Sequence, residues 1–90
     1  FVEIFRDVSF RVAPIDKKTA IDMIKEIQSS KMLMGARGRK VLDIDSIAEA
    51  IMRLSQLALD CPQIKELDIN PLIVLEEGKG CLVADAKIII

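Results

Sequence analysis

Apolar residues along this chain keep changing their spacing, and the changes divide it into elements. Over residues 1–13 apolar and polar positions nearly alternate in a run rich in Phe, Val and Ile, which predicts two short strands joined near Arg6-Asp7. With Phe5 opposite Val8, the side chains of Phe1, Phe5, Phe10 and Val12 share one face, and Ser9 and Arg11 fall on the other. Pro14 ends that pattern. Asp16 is then placed to cap a helix whose apolar positions Ala20, Ile21, Ile24 and Ile27 recur at the helical period as far as about Ser29. After a loop over residues 32–40, a second stripe of Ile47, Ile51, Leu54 and Ala58, flanked by Leu57, predicts another helix that Cys61-Pro62 closes. Asp43, Asp45 and Ser46 are each acceptable caps for it, and Ser46-Ile47-Ala48-Glu49 has capping-box spacing. Alternation returns over about residues 64–88 as a hairpin. If Glu77-Gly78 turns the chain, Glu76 pairs with Lys79, and counting outward sets Asn70 opposite Asp85.

The order strand, strand, helix, helix, strand, strand predicts an α+β fold in two layers, an antiparallel sheet with two helices on one face. The other face is left for a ligand. Leu67 and Ile69 would face the helices, while Asp68, Asn70 and Asp85 would face outward. No segment repeats and none is low in complexity.

Composition narrows the functions open to such a fold. Ninety residues make at most one small domain, with an aliphatic core, since only three residues are aromatic. Thirteen basic and fourteen acidic residues nearly cancel, so no basic field draws nucleic acid or an anionic membrane, and no apolar run is long enough to span a bilayer. A cytoplasmic protein is expected. Cys61 and Cys81 lack partnering spacing and read as reduced thiols, and the absence of histidine means any catalytic imidazole comes from elsewhere. The chain opens inside an extended apolar pattern and stops at Ile88-Ile89-Ile90, which leads to the expectation that residues 1–90 are a piece of a longer polypeptide.

Two groups of residues suggest chemistry. An amide and a carboxylate facing each other at Asn70 and Asp85, with Asp68 beside them, are hard oxygen donors suited to magnesium, which is usually held by one or two carboxylates and completes its shell with water and phosphates. Alternating polar residues are also what any half-buried strand shows. Asn70-Pro71, however, interrupts the strand where the amide sits, as befits a side chain that must be aimed. The second group is Gly35-Ala36-Arg37-Gly38-Arg39, a glycine-flanked cationic loop able to approach a phosphate, with Arg37 favoured over Arg39. An exposed turn with solvated arginines is the alternative.

These segments together resemble a known family. Phe1-Val2-Glu3-Ile4, Arg6-Asp7-Val8-Ser9-Phe10-Arg11-Val12-Ala13-Pro14, Gly35-Ala36-Arg37-Gly38, Leu54-Ser55-Gln56-Leu57-Ala58, Glu66-Leu67-Asp68-Ile69-Asn70-Pro71-Leu72 and Asp85-Ala86 look like the ATP-grasp domain of ADP-forming acetyl-CoA synthetases. The chain is also similar to the β subunit of succinyl-CoA synthetase, above all in Asp-Ile-Asn-Pro-Leu and the later Asp. The resemblance implies the closing part of the second ATP-grasp lobe, with Asn70 and Asp85 holding Mg2+ on the phosphates of ATP or ADP. It puts Asp68 near the phosphoryl group, one methylene shorter than the Glu of succinyl-CoA synthetase, and Arg37 in a phosphate-facing position. Phosphoryl transfer between an acyl phosphate or phosphohistidine and ADP is the implied reaction. The implied partners are the rest of the ATP-grasp domain and a CoA-binding α subunit or fused CoA-binding domain. The alternative is a regulatory synthetase-like domain fused to a protein acetyltransferase, without turnover of its own.

Overall fold

The computed structural model describes residues 7–27 and 29–90, so the expected strand over residues 1–5 lies outside them. Helix α1 spans Lys17–Glu26, and Asp16 caps it by accepting the Thr19 N–H at 2.8 Å. It stops short of the expected end because Ile27 turns extended. A one-turn helix α2, Ser30–Leu33, and a 3-10 turn, Ala36–Gly38, occupy the stretch expected to be a plain loop. Helix α3 runs from Ile44 to Asp60, ending at Cys61 as expected. The remaining chain is β1 Glu66–Ile69, β2 Leu72–Val74, β3 Cys81–Val83 and β4 Ala86–Ile89. The fold is α+β with antiparallel strands, and its flat dimensions, 44 × 42 × 25 Å, suit two layers.

Helices α1 and α3 lie side by side, joined by the buried core. Ala20 and Ile24 of α1 meet Ala48 of α3, and the two alanines let the backbones approach closely. Ile15, Ile21, Leu33, Ile44, Ile47, Ile51 and Met52 close around them. Ser55, buried on the same side of α3, accepts the Ile15 N–H at 2.7 Å and pins the entry to α1. The expected stripe of Ile47, Ile51, Leu54 and Leu57 faces the strands, as a helix covering the sheet requires, with Ile47 and Ile51 also reaching the core, and Ala58 is exposed. Helix α3 therefore carries two apolar faces, one for its neighbouring helix and one for the hairpin.

The four strands form one long hairpin broken in the middle. β1 pairs with β4 and β2 with β3, in the single register in which Glu66 faces Ile89 and Val74 faces Cys81. That register is the one counted outward from Glu76 and Lys79, whose turn closes with the Lys79 N–H on the Glu76 carbonyl at 2.9 Å.

The segment from Asp7 to Ala13 departs from expectation. It pairs with no strand among the described residues, although Phe10 and Val12 lie on one side and Ser9 and Arg11 on the other, as expected. Ser9 and Arg11 point to α1, where both bind Glu26: the Ser9 hydroxyl at 2.6 Å and Arg11 Nη1 at 3.0 Å. The guanidinium and this hydroxyl hold the Glu26 carboxyl below its ordinary value. Phe10 and Val12 are left 78% and 91% exposed. The ion pair decides the orientation because α1 offers a carboxylate, not an apolar stripe, at that end.

Asp43 joins the two layers. Its Oδ1 accepts the Ser46 N–H at 3.0 Å and caps α3, while Oδ2 accepts the Gly80 N–H of the hairpin tip at 2.7 Å. Its own N–H donates to the Leu75 carbonyl at 2.8 Å. Among the three candidate caps the structure selects the one that also reaches the hairpin. Backbone amides of Gly80, Ser46 and Gly78 lower the pKa of this carboxyl. Since the folded-state value lies below that of the unfolded chain, about 3.9, the stabilisation is complete above that pH and is lost as pH falls through the folded value. Asp43→Ala is expected to remove this acid sensitivity and to speed amide exchange at Ser46 and Gly80 together, as read by hydrogen-exchange mass spectrometry of the polypeptide that carries the chain. Unchanged protection at Gly80 would show that the tie is not needed.

Candidate functional site

The tight turn at Glu76–Lys79 propagates outward to the break between β1 and β2. There the Asn70 N–H donates to the Asp85 carbonyl at 3.1 Å, and the Ala84 N–H to the Pro71 carbonyl at 3.1 Å. Asn70 thus stands opposite Asp85, as the sequence predicted. Proline has no N–H to continue the ladder, so the alternation of side chains shifts by one at this point. Leu67 and Ile69 of β1 and Leu72 of β2 all line one surface, although strict alternation would have sent residue 71 there and turned Leu72 away. The shift lets both strands keep an apolar inner face while Asn70 and Asp85 stay on the outer one.

The inner face bounds a cleft of about 640 Å³ against α3, lined on the helix side by Ile47, Ile51, Leu54 and Leu57. Asp68, Asn70 and Asp85 are exposed and none of them lines that cleft. Asp68 lies directly opposite Lys87 in the β1–β4 ladder. One oxygen of Asp85, Oδ1, accepts the Ala86 N–H at 2.8 Å, which orients the carboxylate. The other makes no protein hydrogen bond among the described residues.

Asn70 and Asp85 offer hard oxygen donors from facing positions, and Asp68 adds a third on the same face. No group of three or more His, Cys, Asp or Glu gathers into a cage among the described residues. An amide oxygen and carboxylates are the hard oxygen donors that a magnesium ion accepts.

Arg37 is held apart from these residues. It sits in the 3-10 turn with left-handed backbone (φ 61°, ψ 36°), between Gly35 at φ 90° and Gly38 at φ 75°. Such a conformation is uncommon for a residue with a side chain. Its guanidinium is exposed, with no hydrogen bond or ion pair among the described residues. The loop continues along the hairpin tip: Leu42 bridges to Glu76, and Lys40 Nζ pairs with Glu76 Oε1 at 3.2 Å. Glu76 lies about 20 Å along extended chain from Asn70. No contact among the described residues joins Arg37 to the Asn70 and Asp85 pair.

Sequence reasoning overlooked Lys87. The count that set Asn70 against Asp85 sets Asp68 against Lys87 two residues further out, so the signal was present.

Comparisons with known proteins bear on the family and the fold. All of residues 1–90 match the family profile described as "ATP-grasp domain". The chain is 50% identical over 88 residues to the 4-hydroxybutyrate–CoA ligase [ADP-forming] of Nitrosopumilus maritimus, covering 98% of this chain and 13% of that protein. It is 48% identical over 90 residues to the acetate–CoA ligase [ADP-forming] I subunit beta of Pyrococcus furiosus, covering 100% of this chain and 38% of that one. The chain thus spans well under half the length of these relatives. Among solved structures it superposes on the apo form of the dinucleotide forming acetyl-coenzyme A synthetase 1 of Ca. Korarchaeum cryptofilum with a TM-score of 0.86 and 42% identity, over 97% of this chain and 40% of that one. A second structure of that synthetase, in complex with coenzyme A and Mg-AMPPCP, gives 0.85 and 42% over 93% of this chain and 38% of that one.

The loop that carries Arg37 is sensitive at one glycine above the others. A Cβ on Gly35 would meet the Arg39 carbonyl oxygen at 2.8 Å and Val41 Cγ2 at 3.3 Å, whereas a Cβ on Gly38 meets nothing within 4 Å. Gly35→Ala is expected to destabilise the polypeptide by about 1–3 kcal/mol and Gly38→Ala by less, as measured by urea unfolding. Equal effects would mean that left-handed backbone alone, and not the close approach to Arg39, governs the loop.

Proposed function

The chain belongs to the ATP-grasp domain family, and from that premise we propose that it forms the closing portion of the nucleotide-clasping domain of an ADP-forming acyl-CoA ligase. Its task in that enzyme is to hold magnesium and the nucleotide phosphates during phosphoryl transfer. The observation that carries this reading is the pairing of Asn70 with Asp85 on the outward face of the hairpin, beside Asp68. Names of the relatives span acetate and 4-hydroxybutyrate, so the reading extends to acyl-CoA formation as a class and to no single acid.

Asn70 and Asp85 are the metal-holding residues in this reading. They would hold the ion where it would supply positive charge to offset that of the phosphates, the main requirement of a reaction governed by positioning and electrostatics. The Asp85 carboxylate, oriented by the Ala86 N–H, presents its remaining oxygen without a protein competitor among the described residues. Asp68 lies beside the reacting phosphoryl group in this reading. Arg37 reaches a phosphate from the far end of the hairpin, which requires a substrate or partner segment that extends toward Glu76.

A nucleotide cleft needs a second wall, and that wall belongs to the portion of the ATP-grasp domain beyond these residues. The CoA-binding partner is a separate α subunit or a fused domain. Relatives of both kinds support this: in one the chain matches 38% of a β subunit, in another 13% of a much longer protein. No described helix is long and apolar enough to cross a membrane, and a cytoplasmic location is part of the same proposal. The regulatory alternative gains no support from relatives named as ligases.

Two measurements test this function. Asp85→Ala in the full-length polypeptide is expected to abolish magnesium-dependent phosphoryl transfer to ADP with the thermal melting profile unchanged, and undiminished turnover would exclude the metal role. The isolated 90-residue chain should bind ATP only weakly because one wall of the cleft is missing. Micromolar binding of ATP by the chain alone, in calorimetry, would contradict a shared cleft.

A further inference from the structure

Lys87 stands across the β1–β4 ladder from Asp68, on the outward face, one alternate position beyond Asp85. Directly opposed residues in such a ladder have Cα atoms roughly 4.5–5.5 Å apart, and alternate residues along a strand are about 7 Å apart. The flexible lysine stem is therefore long enough to reach Asp68 and the Asn70 and Asp85 pair. Opposite charges in these positions ordinarily close on each other across the strands. Here they do not: among the described residues Lys87 enters no salt bridge and no side-chain hydrogen bond, whereas Lys40 and Lys79 both close onto Glu76.

The outward face thus gathers two carboxylates, an amide and an unpaired ammonium. Two carboxylates attract a cation and repel a polyphosphate, so a site built from them alone would take the metal and resist the anion that comes with it. An ammonium beside them supplies the anion with a partner of its own, and lysine suits a phosphate oxygen as a mobile point charge. We infer that Lys87 is a phosphate-binding residue that contacts a non-bridging oxygen of the terminal phosphoryl group of a nucleoside polyphosphate. The inference rests on the magnesium and nucleotide reading above. No bond is made or broken at Lys87; its charge holds the group that the metal also touches.

The test is calorimetry on the full-length polypeptide with ATP and with AMP, each in excess magnesium and again in EDTA, for the parent protein, Lys87→Met, Lys87→Arg and Asp85→Ala. Lys87→Met is expected to weaken ATP binding about tenfold or more in both conditions, the loss of one charge-assisted contact, and to leave AMP unchanged. Lys87→Arg should recover most of the ATP affinity, and Asp85→Ala should weaken ATP only when magnesium is present. Unaltered ATP binding by Lys87→Met, with Asp85→Ala behaving as described, overturns the role of Lys87 and spares the metal reading. Unaltered ATP binding by Asp85→Ala in magnesium overturns the metal reading itself. Equal losses of ATP and AMP in Lys87→Met, or no recovery by Lys87→Arg, would assign the residue to folding and also overturn the inference.

Discussion

The placement of every outward-facing group depends on the carboxylate of Asp43. One of its oxygens starts helix α3 and the other holds the Gly80 amide, while its own N–H is bound by the Leu75 carbonyl. All three partners are backbone groups, so the tie fixes the path of the chain and not merely the setting of a side chain. A hairpin that slipped by one residue would lose the match between Asp43 and Gly80, and would move every side chain to the other face. The helix cap and the strand register are in this way one constraint. Lys40 and Val41 reinforce it from the same segment, through Glu76 Oε1 and the Glu77 N–H.

With the register fixed at the tip, the break at Asn70-Pro71 determines what lies further out. A hairpin of unbroken alternation could not keep Leu67, Ile69 and Leu72 all facing α3, because residues 69 and 72 differ in parity. The interruption absorbs that mismatch. It does so at the position where an amide and a carboxylate oppose each other, so the local irregularity and the candidate chemistry share one cause. Conformation is spent there on aiming polar groups, while the flanking ladders hold the apolar face together.

The register was legible in the sequence because it depends on local information: a glycine-containing turn, strict alternation on either side and a proline that marks the break. Helix α1 was legible for the same reason, through Asp16 and the spacing of Ala20 and Ile24. What escaped depends on bonds between distant residues. Nothing near Asp43 distinguishes it from Asp45 or Ser46 as a cap; the distinction comes from Gly80, 37 residues away. Ser55 looks like a polar interruption of an apolar stripe until the Ile15 N–H, 40 residues away, gives it a partner. The side of the segment 7–13 that meets α1 likewise follows from Glu26, an exposed charge at a helix end whose partner no periodicity announces. Of the candidate site, Asn70, Asp85 and Asp68 could be grouped by counting, whereas Arg37 could not be placed relative to them, since its loop is positioned by contacts with Leu33 and Glu76.

How firmly the site can act is set by what lies beneath it. Among the described residues only Ala20, Ile24 and Ala48 are buried apolar side chains, while the inner face of the hairpin meets α3 across an open cleft. Facing donors grip a small cation well only if their backbones resist moving apart, and a two-stranded ladder with one loosely covered face resists weakly. Filling the cleft and covering Phe10 and Val12 would stiffen the strands from the side opposite to the ligand, without touching Asn70 or Asp85. The firmness of the outward face therefore depends as much on the structure packed behind the hairpin as on the side chains in front of it.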